Sequence, residues 1–344
     1  MFGKIFRACV VIAAIASSSH YAYTQSTTAE NFTNVGASGA AFQKIWVGAR
    51  ASGMAGAFSA LADDISALYW NPAGIARTKG ITAGASYTGW YANINHNFIA
   101  AILPLTEKYR AAFSLTVLDY GNLRKADIPN PANAGNFNAN DLAFGITLAG
   151  ALTDRFSFGA TVKYLRNAIE VLSADGLAFD AGSLYQTDFY KLKISLALTN
   201  LGADRSFSGN SLSILASDDR LNTTHRKLDT RLVTSDFPLP LAFRMGIATD
   251  VFQGKEENQK LNVAFEFTQN TDGPQRYNVG AEYIYSDIVA LRAGYAFNHD
   301  QLGLGLGAGY KYKSEDFIGN IDFAYNTTKT FGGVYVVSVT TNFP

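Results

Sequence analysis

Gly48–Ala76 reads GARASGMAGAFSALADDISALYWNPAGIA, and no other part of the chain has this composition. Its apolar residues fall on one face at helical spacing: Ala51, Met54, Phe58, Leu61 and Ile65. A second stripe consists of very small residues: Ala49, Gly53, Gly56 and Ala60. The spacing predicts one helix over Gly48–Ile65, and the small residues allow another backbone to approach it closely.

A polar turn is expected after this helix. Asp63 and Asp64 interrupt the apolar pattern, and the chain continues to Asn71-Pro72-Ala73-Gly74. Pro72 disfavours the helical conformation at Asn71, so the chain should turn there. Soluble proteins also contain small-residue helices of this kind, packed on a sheet, so the rest of the chain has to decide between the two interpretations.

The composition favours a protein that crosses a membrane with strands. Only 16% of the 344 residues are charged, against about 25% in typical soluble proteins. Lys+Arg and Asp+Glu number 28 each, so no basic excess predicts nucleic-acid binding. Mean hydropathy is +0.02, and no stretch after the N-terminus is apolar for the roughly 18 residues that a spanning helix needs. This balance is typical of a transmembrane β-barrel.

The N-terminus has the pattern of an export signal. Lys4 and Arg7 precede the apolar run Ala8–Ala16, which is too short to span a membrane. We expect residues 1–24 to be a cleaved signal peptide, with an uncleaved anchor as the alternative. The single cysteine, Cys9, lies in this run, so the mature chain would have no disulfide and no thiol chemistry.

Fourteen segments of strand length follow Gly80. They are Ile81–Tyr91, Asn95–Leu103, Ala111–Asp119, Asp141–Leu152, Phe156–Leu165, Leu177–Tyr185, Leu192–Leu201, Leu239–Val251, Leu261–Gln269, Arg276–Tyr285, Val289–Phe297, Leu302–Tyr312, Phe317–Asn326 and Val334–Phe343. An even number of strands closes a single-chain barrel with both termini on one side. The sequence predicts an all-β transmembrane barrel of about 14 antiparallel strands over residues 80–344, with a short helical plug in residues 25–79.

These strands alternate between bulky apolar residues and small or charged residues. In one of them, Leu302, Leu304, Leu306, Ala308 and Tyr310 alternate with Gly303, Gly305, Gly307, Gly309 and Lys311. Charge on the lipid face costs about 2–4 kcal/mol at mid-membrane, so the charged face should be the lumen. A soluble β-sandwich has the same period, but its polar face would be dense in Lys and Glu. We expect the plug helix to lie near the glycines of this strand.

The connections between the predicted strands sort by length. Tyr120–Asn140, Arg166–Gly176 and Gly202–Pro238 are long, and all three follow odd-numbered strands. If both termini are periplasmic, these become extracellular loops, and most connections on the opposite side are short. Outer-membrane barrels have this asymmetry.

The stretch Gly48–Ala76, followed by fourteen strands, resembles the PorV/PorQ family of bacterial outer-membrane proteins, which are similar to FadL-type barrels. The resemblance rests on a Gly-Ala-rich helix, Ala62-Asp63-Asp64, and then Tyr69-Trp70-Asn71-Pro72-Ala73-Gly74. It implies a plugged barrel in the bacterial outer membrane, with Asn71–Gly74 in the plug motif. PorV-type members carry substrates with C-terminal sorting domains to a cell-surface attachment complex in type IX secretion, whereas FadL-type members pass hydrophobic molecules.

No enzyme motif is found in the sequence. The four histidines are scattered without metal-ligand spacing, and no phosphate-binding loop with a Lys-Ser/Thr end is present. We therefore expect no catalysis, no metal and no cofactor.

Charged residues on the inward face are the candidate functional residues of the barrel. By parity they are Lys163, Lys193, Arg244, Glu266, Glu282, Arg292, Lys311 and Asp322. Glu282 and Arg292 should face each other across a turn centred on Asp287 and form an ion pair. These charges either brace the barrel and plug or line a path for a ligand or partner.

Two functions follow as expectations. In the first, the barrel serves type IX secretion, and its partners are outer-membrane lipid and proteins of the secretion machinery. In the second, it is a FadL-like channel for a hydrophobic ligand that enters near the long loops and passes the Asn71–Gly74 turn.

Overall fold

A computed structural model describes residues 36–125, 135–217, 227–253, 256 and 258–343. The expected signal peptide, residues 1–24, lies outside the described residues. Sixteen strands are found in the described part: β1 Ile81–Gly89, β2 Asn95–Pro104, β3 Tyr109–Arg124, β4 Asn136–Ala151, β5 Phe156–Ile169, β6 Leu172–Gln186, β7 Lys193–Gly202, β8 Ser213–Ser217, β9 Lys227–Arg231, β10 Ala242–Asp250, β11 Gln259–Asn270, β12 Arg276–Tyr285, β13 Val289–Phe297, β14 Leu302–Lys313, β15 Ile318–Thr328 and β16 Gly333–Phe343.

Fourteen of these described strands close into one antiparallel barrel. Each barrel strand pairs with its neighbours along the chain, and β1 pairs with β16 to complete the ring. β7 pairs with β10, because β8 and β9 form a separate hairpin in the long connection between them. We call the end with this connection the loop end and the opposite end the turn end.

The predicted strands all correspond to barrel strands, and Arg276–Tyr285 and Val289–Phe297 match residue for residue. The predicted loops Tyr120–Asn140 and Arg166–Gly176 are wrong in extent. β3 and β4 reach far into the first of them, and only Glu170 and Val171 separate β5 from β6. Both faces of these strand extensions carry polar residues, so the alternation that marks a half-buried strand is lost there.

Side chains alternate across the wall as the charge argument predicts. On β13, Leu291 and Tyr295 are exposed on the outside, whereas Arg292 is buried inside. The prediction fails at Leu302, which was expected on the outer face but is buried. A register irregularity between Leu302 and Gly305 shifts the start of β14 relative to its neighbour, and such an irregularity reverses which face a residue occupies.

The single helix predicted over Gly48–Ile65 is also wrong. An α-helix covers only Ala49–Gly53, and a second one covers Ala67–Trp70. Positive φ angles at Ala55 (51°) and Gly56 (79°) end the first helix, because left-handed residues terminate helical hydrogen bonding. Short 3₁₀ turns are formed by Ala41–Lys44, Pro72–Arg77, Tyr91–Asn93, Phe189–Lys191 and Asn210–Leu212.

Among the described residues, no helix has the length and apolar character needed to cross a membrane.

Candidate functional site: the plugged lumen

Residues 36–79, which we call the plug, run through the barrel from the loop end to the turn end. At the loop end, the backbone N–H of Gly39 donates to the carbonyl oxygen of Pro238 at 2.9 Å. At the turn end, Arg110 of β3 donates to the carbonyl oxygen of Thr78 at 2.9 Å. Seven large apolar side chains between these points are at most 4% exposed: Trp70, Met54, Phe58, Leu61, Ile65, Leu68 and Ile75.

The motif Asn71–Gly74 lies at the start of the 3₁₀ turn Pro72–Arg77. Asn71 caps this turn, because its side-chain oxygen accepts from the N–H of Ala73 at 3.0 Å, as a polar cap does at a helix start. Its side-chain amide donates to the carbonyl oxygen of Ser183 on β6 at 3.0 Å. The fully buried Asn71 therefore both shapes the plug and attaches it to the wall.

Arg50 is the main charged contact of the plug with the wall. Its Nε and Nη2 donate to the two carboxylate oxygens of Glu282 at 2.8 and 3.0 Å. Its Nη1 lies 2.5 Å from Asp63 and 3.5 Å from Asp64. Sequence analysis did not single out Arg50, although it is the only basic residue in the small-residue stretch Gly48–Ala76.

Glu282 joins this contact to the barrel. It is the cross-strand partner of Arg292, whose Nε donates to it at 2.8 Å, so the predicted pair is formed. Arg292 also donates to Asp322 on β15 at 2.6 Å, and Asn262 on β11 donates to Glu282 at 2.9 Å. Glu282 is completely buried, so four strands and the plug share one ionic network inside the barrel.

The plug backbone touches the barrel backbone beside this network. A Cβ atom added to Gly53 would lie 3.0 Å from the Cα of Gly307, and one added to Gly305 would lie 2.6 Å from the carbonyl oxygen of Ser52. The residues after Gly48 thus lie against the glycines of β14, as expected. Only residues without a side chain allow so close an approach.

Two further buried charges bind the plug through hydrogen bonds. Glu266 accepts from the backbone N–H groups of Phe58 and Ser59 at 3.0 and 2.7 Å. Lys163 donates to Gln43 at 3.2 Å and pairs with Asp180 at 2.9 Å. Lys163, whose charge would be costly to bury alone, is thus paired, whereas Oε1 of the buried Glu266 has no hydrogen-bond partner among the described residues.

Arg244 lies at the aromatic part of the plug. It donates to the carbonyl oxygen of Tyr69 at 3.0 Å, and its guanidinium lies 4.8 Å from the Tyr69 ring centre and 5.1 Å from that of Trp70. A cavity of about 20 Å³ lies beside these residues. This volume holds about one water molecule, so the lumen is nearly filled here.

The remaining predicted lumen charges lie nearer the turn end. Lys193 is half-buried at the start of β7. Lys311 pairs with Asp287 at 3.0 Å, and Lys313 pairs with the same carboxylate at 2.6 Å. Partial burial raises the pKa of Asp287, but the hydrogen bonds and charges of Lys313 and Lys311 outweigh it, so the pKa lies below its ordinary value.

His299 lies in the connection between β13 and β14 and contacts the plug. Its ring meets that of Trp46 edge-on at 5.2 Å, and its Nδ1 accepts from the N–H groups of Gln301 and Leu302. Burial lowers the pKa of His299 well below its ordinary value, and nearby positive charges lower it further. The neutral ring is therefore part of the packing around Trp46.

The structure places most of the predicted site residues in contacts between plug and wall: Asn71 on the plug, and Lys163, Arg244, Glu266 and Glu282 on the wall. Arg292 is joined to the plug through Glu282, whereas Asp63 and Asp64 pair with Arg50 within the plug. In the described part of the chain, no cluster of three or more His, Cys, Asp or Glu side chains has the arrangement of a metal site.

Comparison with known proteins gives one family. The family described as "Type IX secretion system protein PorV" matches residues 27–209, which is more than half of the chain. The matched range includes the plug motif and β1–β7. No curated protein matches the chain.

Solved structures with the same fold include a monoaromatic hydrocarbon channel and two toluene transporters. The chain is similar to the CymD monoaromatic hydrocarbon channel, with a TM-score of 0.58 and 13% identity, over 87% of this chain and 97% of that one. The Ralstonia pickettii toluene transporter TbuX gives a TM-score of 0.51 and 13% identity, over 87% of this chain and 98% of that one. The Pseudomonas putida toluene transporter TodX gives a TM-score of 0.51 and 13% identity, over 83% and 98%.

These structural similarities establish only the fold, whereas the family match also assigns the chain to a family. A closed barrel of fourteen described strands, a plug in its lumen and the match over residues 27–209 agree with one another. The chain is a β-barrel of the bacterial outer membrane, and it belongs to the PorV family of type IX secretion system proteins.

Proposed function

We propose that this barrel carries or attaches secreted cargo in type IX secretion. It binds proteins with C-terminal sorting domains at its loop end, while the plug stays in the lumen and keeps it closed. The family match supports the secretion role. The observation that carries the proposal is the filled lumen, because a barrel whose interior is occupied by its own chain acts through its surfaces.

Several independent contacts support a plug that stays in place. Arg50 binds Glu282, the Gly53 backbone touches Gly307, and Asn71 donates to Ser183. These contacts lie on different strands, so releasing the plug requires breaking all of them. The buried charge pair alone is expensive to separate, since a lone buried charge costs several kcal/mol.

The loop end supplies the surface for the cargo. Outer-membrane barrels place their longer connections outside the cell, and the connection between β7 and β10 is the longest of those described. Val233 in this connection is 94% exposed, and the neighbouring Leu232 is 52% exposed. A partner protein that covers these two side chains would remove their apolar surface from water, which favours binding.

The proposal includes no catalytic step and no cofactor. The barrel wall contacts outer-membrane lipid, and the loop end contacts proteins of the secretion machinery. The families to which the chain is similar are a secretion component and hydrocarbon channels, and neither is named as an enzyme.

Mass spectrometry of the full-length protein, purified gently from the outer membrane, tests this proposal. We expect a co-purifying protein that ends in a C-terminal sorting domain. Val233→Ser should reduce its recovery at least tenfold. Phe189→Ser is the matched control, because Phe189 is 73% exposed in a connection at the turn end.

The same sample also tests the channel. A stoichiometric hydrophobic compound in the lumen, with no protein partner, would overturn the proposal in favour of a FadL-like channel. Equal loss of cargo from both variants would contradict binding at the loop end.

A further inference from the structure

The barrel wall is interrupted between β7 and β10 at the loop end. Their described backbone pairing ends at Thr199 opposite Ala242. Farther along, the next pairing between the two segments is an isolated bridge of Arg205 with Phe237. Residues 200–204 and 238–241 face each other without backbone pairing.

The sequence explains this interruption. Pro238 and Pro240 have no N–H group to donate, and they stand two residues apart in the segment that would continue β10. On the opposite side, Asn200 has a positive φ of 64°. Its side-chain amide donates to the carbonyl oxygen of Pro240 at 3.1 Å. One side-chain hydrogen bond therefore spans a gap where backbone pairing would otherwise close the wall.

A cavity of about 240 Å³ lies at this gap. Its lining includes Ala37 and Ser38 of the plug and, on the wall, Asn200, Leu201, Leu239, Leu241 and Asp272. Asn200 and Leu239 are buried, whereas Leu201 is 49% exposed. Because Asn200 is buried and Leu201 is exposed on the outer face, a cavity lined by both passes from the outer face of the wall towards the plug.

The surroundings of the cavity identify its occupant. The outward residues beside the gap are the apolar side chains of Phe179, Leu201 and Phe243, which belong to the lipid-facing surface of the barrel. Polar residues begin just beyond them, where Tyr164 donates to Asp175. The opening therefore lies where the upper part of a lipid chain meets the wall.

We propose that this gap binds one acyl chain of a surrounding outer-membrane lipid. The chain enters from the lipid-facing side between Leu201 and Leu241, and its end reaches Ala37 and Ser38 of the plug. The head group stays outside the wall. Asp272 is the one charged residue of the lining and already pairs with Lys44 at 2.7 Å, so the site offers no free cation to the carboxylate of a fatty acid. The inference is independent of the cargo and goes beyond the proposed function.

Native mass spectrometry of the full-length barrel tests this site. The protein is released from nanodiscs made with outer-membrane lipid, and the bound lipid is counted. We expect one retained lipid in the unmodified protein. Leu241→Trp places a large ring in the cavity and should reduce retention at least tenfold. Leu291→Trp is the control, because Leu291 is 56% exposed on the outer face of β13.

A second measurement covers the case in which Leu241→Trp fails to fold. The unmodified protein is reconstituted with a phospholipid that carries a photoreactive group at the end of one acyl chain. We expect cross-links at Ala37 and Ser38 of the plug and at the buried Leu239, which line the cavity. Cross-links confined to outer-face residues such as Leu291 would overturn the proposal. So would recovery of a free fatty acid alone, or equal lipid retention in both tryptophan variants.

Discussion

Two parts of the barrel wall meet the plug in opposite ways. At β12–β15, Glu282 holds Arg50 and Arg292, and the backbones of plug and wall are in contact at Gly53 and Gly307. At β7 and β10, the wall loses its backbone pairing, and a cavity of about 240 Å³ lies between it and Ala37 and Ser38, next to the hydrogen bond from Gly39 to Pro238. Charge and close packing thus hold the plug against β12–β15. Beside β7 and β10, a cavity remains in which we propose that an acyl chain binds.

The strongest test of the fixed wall is removal of its central charge. Glu282→Gln leaves Arg50 and Arg292 without their shared carboxylate, and breaking a buried ion pair costs about 3–5 kcal/mol. Chemical unfolding in detergent should show this loss. Asp287→Asn is the control, because Asp287 pairs with Lys311 and Lys313 in a partly exposed turn, where such pairs contribute about 1 kcal/mol or less. Equal losses in the two variants would contradict the central role of Glu282.

The second test disturbs the backbone contact. Gly305→Ala places a Cβ 2.6 Å from the carbonyl oxygen of Ser52, and overpacking of this kind costs about 1–3 kcal/mol. Gly303→Ala is the matched control on the same strand, because its Cβ would meet only the Thr327 hydroxyl, at 3.3 Å, and the Tyr295 ring. Limited proteolysis of the plug and the unfolding midpoint should separate the two variants. If both behave alike, the plug does not lie on Gly305.

A third test concerns the plug motif. Asn71→Ala removes the cap of the turn Pro72–Arg77 and the hydrogen bond to Ser183. We expect a loss of about 1–2 kcal/mol, since both a cap and a buried amide are lost. Asn136→Ala, at an exposed strand end, should leave the unfolding midpoint unchanged. A stable Asn71→Ala variant would show that the motif does not anchor the plug.

The smallest expected effect is a pH dependence of the free energy of unfolding, which comes from the titration of His299. Burial lowers its pKa in the folded protein, so the unfolded chain binds a proton first, near its ordinary pKa of about 6.5. The neutral His299 ring makes its full contribution to the free energy of unfolding above that pH, and this contribution declines as the pH falls below it. Between pH 7 and pH 6 the loss should be about 0.7 kcal/mol.

His299→Asn removes this titration and supplies the comparison. Thermal unfolding of both proteins from pH 7.5 to pH 5.5 should show their difference shrinking as the pH falls. A difference that stays constant over this range would contradict the assignment to His299.

The barrel could be predicted from the sequence because membrane strands alternate strictly between lipid-facing and lumen-facing residues. Lipid on one face forces apolar residues outward, and this alternation, together with a turn centred on Asp287, predicts that Glu282 lies opposite Arg292. The rule weakens where its cause is absent. β3 and β6 extend beyond the predicted bounds, because water on both faces imposes no alternation there.

The conformation of the plug was harder to predict from the sequence. The spacing of Met54, Phe58 and Leu61 predicted one long helix, but the chain turns at Ala55 and Gly56 instead. Alanine favours a helix and glycine disfavours it by about 1 kcal/mol, but tertiary packing overrides such preferences, so contact with the wall determines the conformation of this stretch. Arg50 was missed for a related reason, since its partner on the wall, Glu282, lies on a strand more than two hundred residues away.

Electrical recording in planar bilayers tests most directly whether the plug closes the lumen. The purified full-length barrel should give no steady ionic current, and Glu282→Gln should give openings when the plug loosens. A steady current through the unmodified protein, unchanged by Glu282→Gln, would contradict the closed lumen and the surface-based function proposed from it.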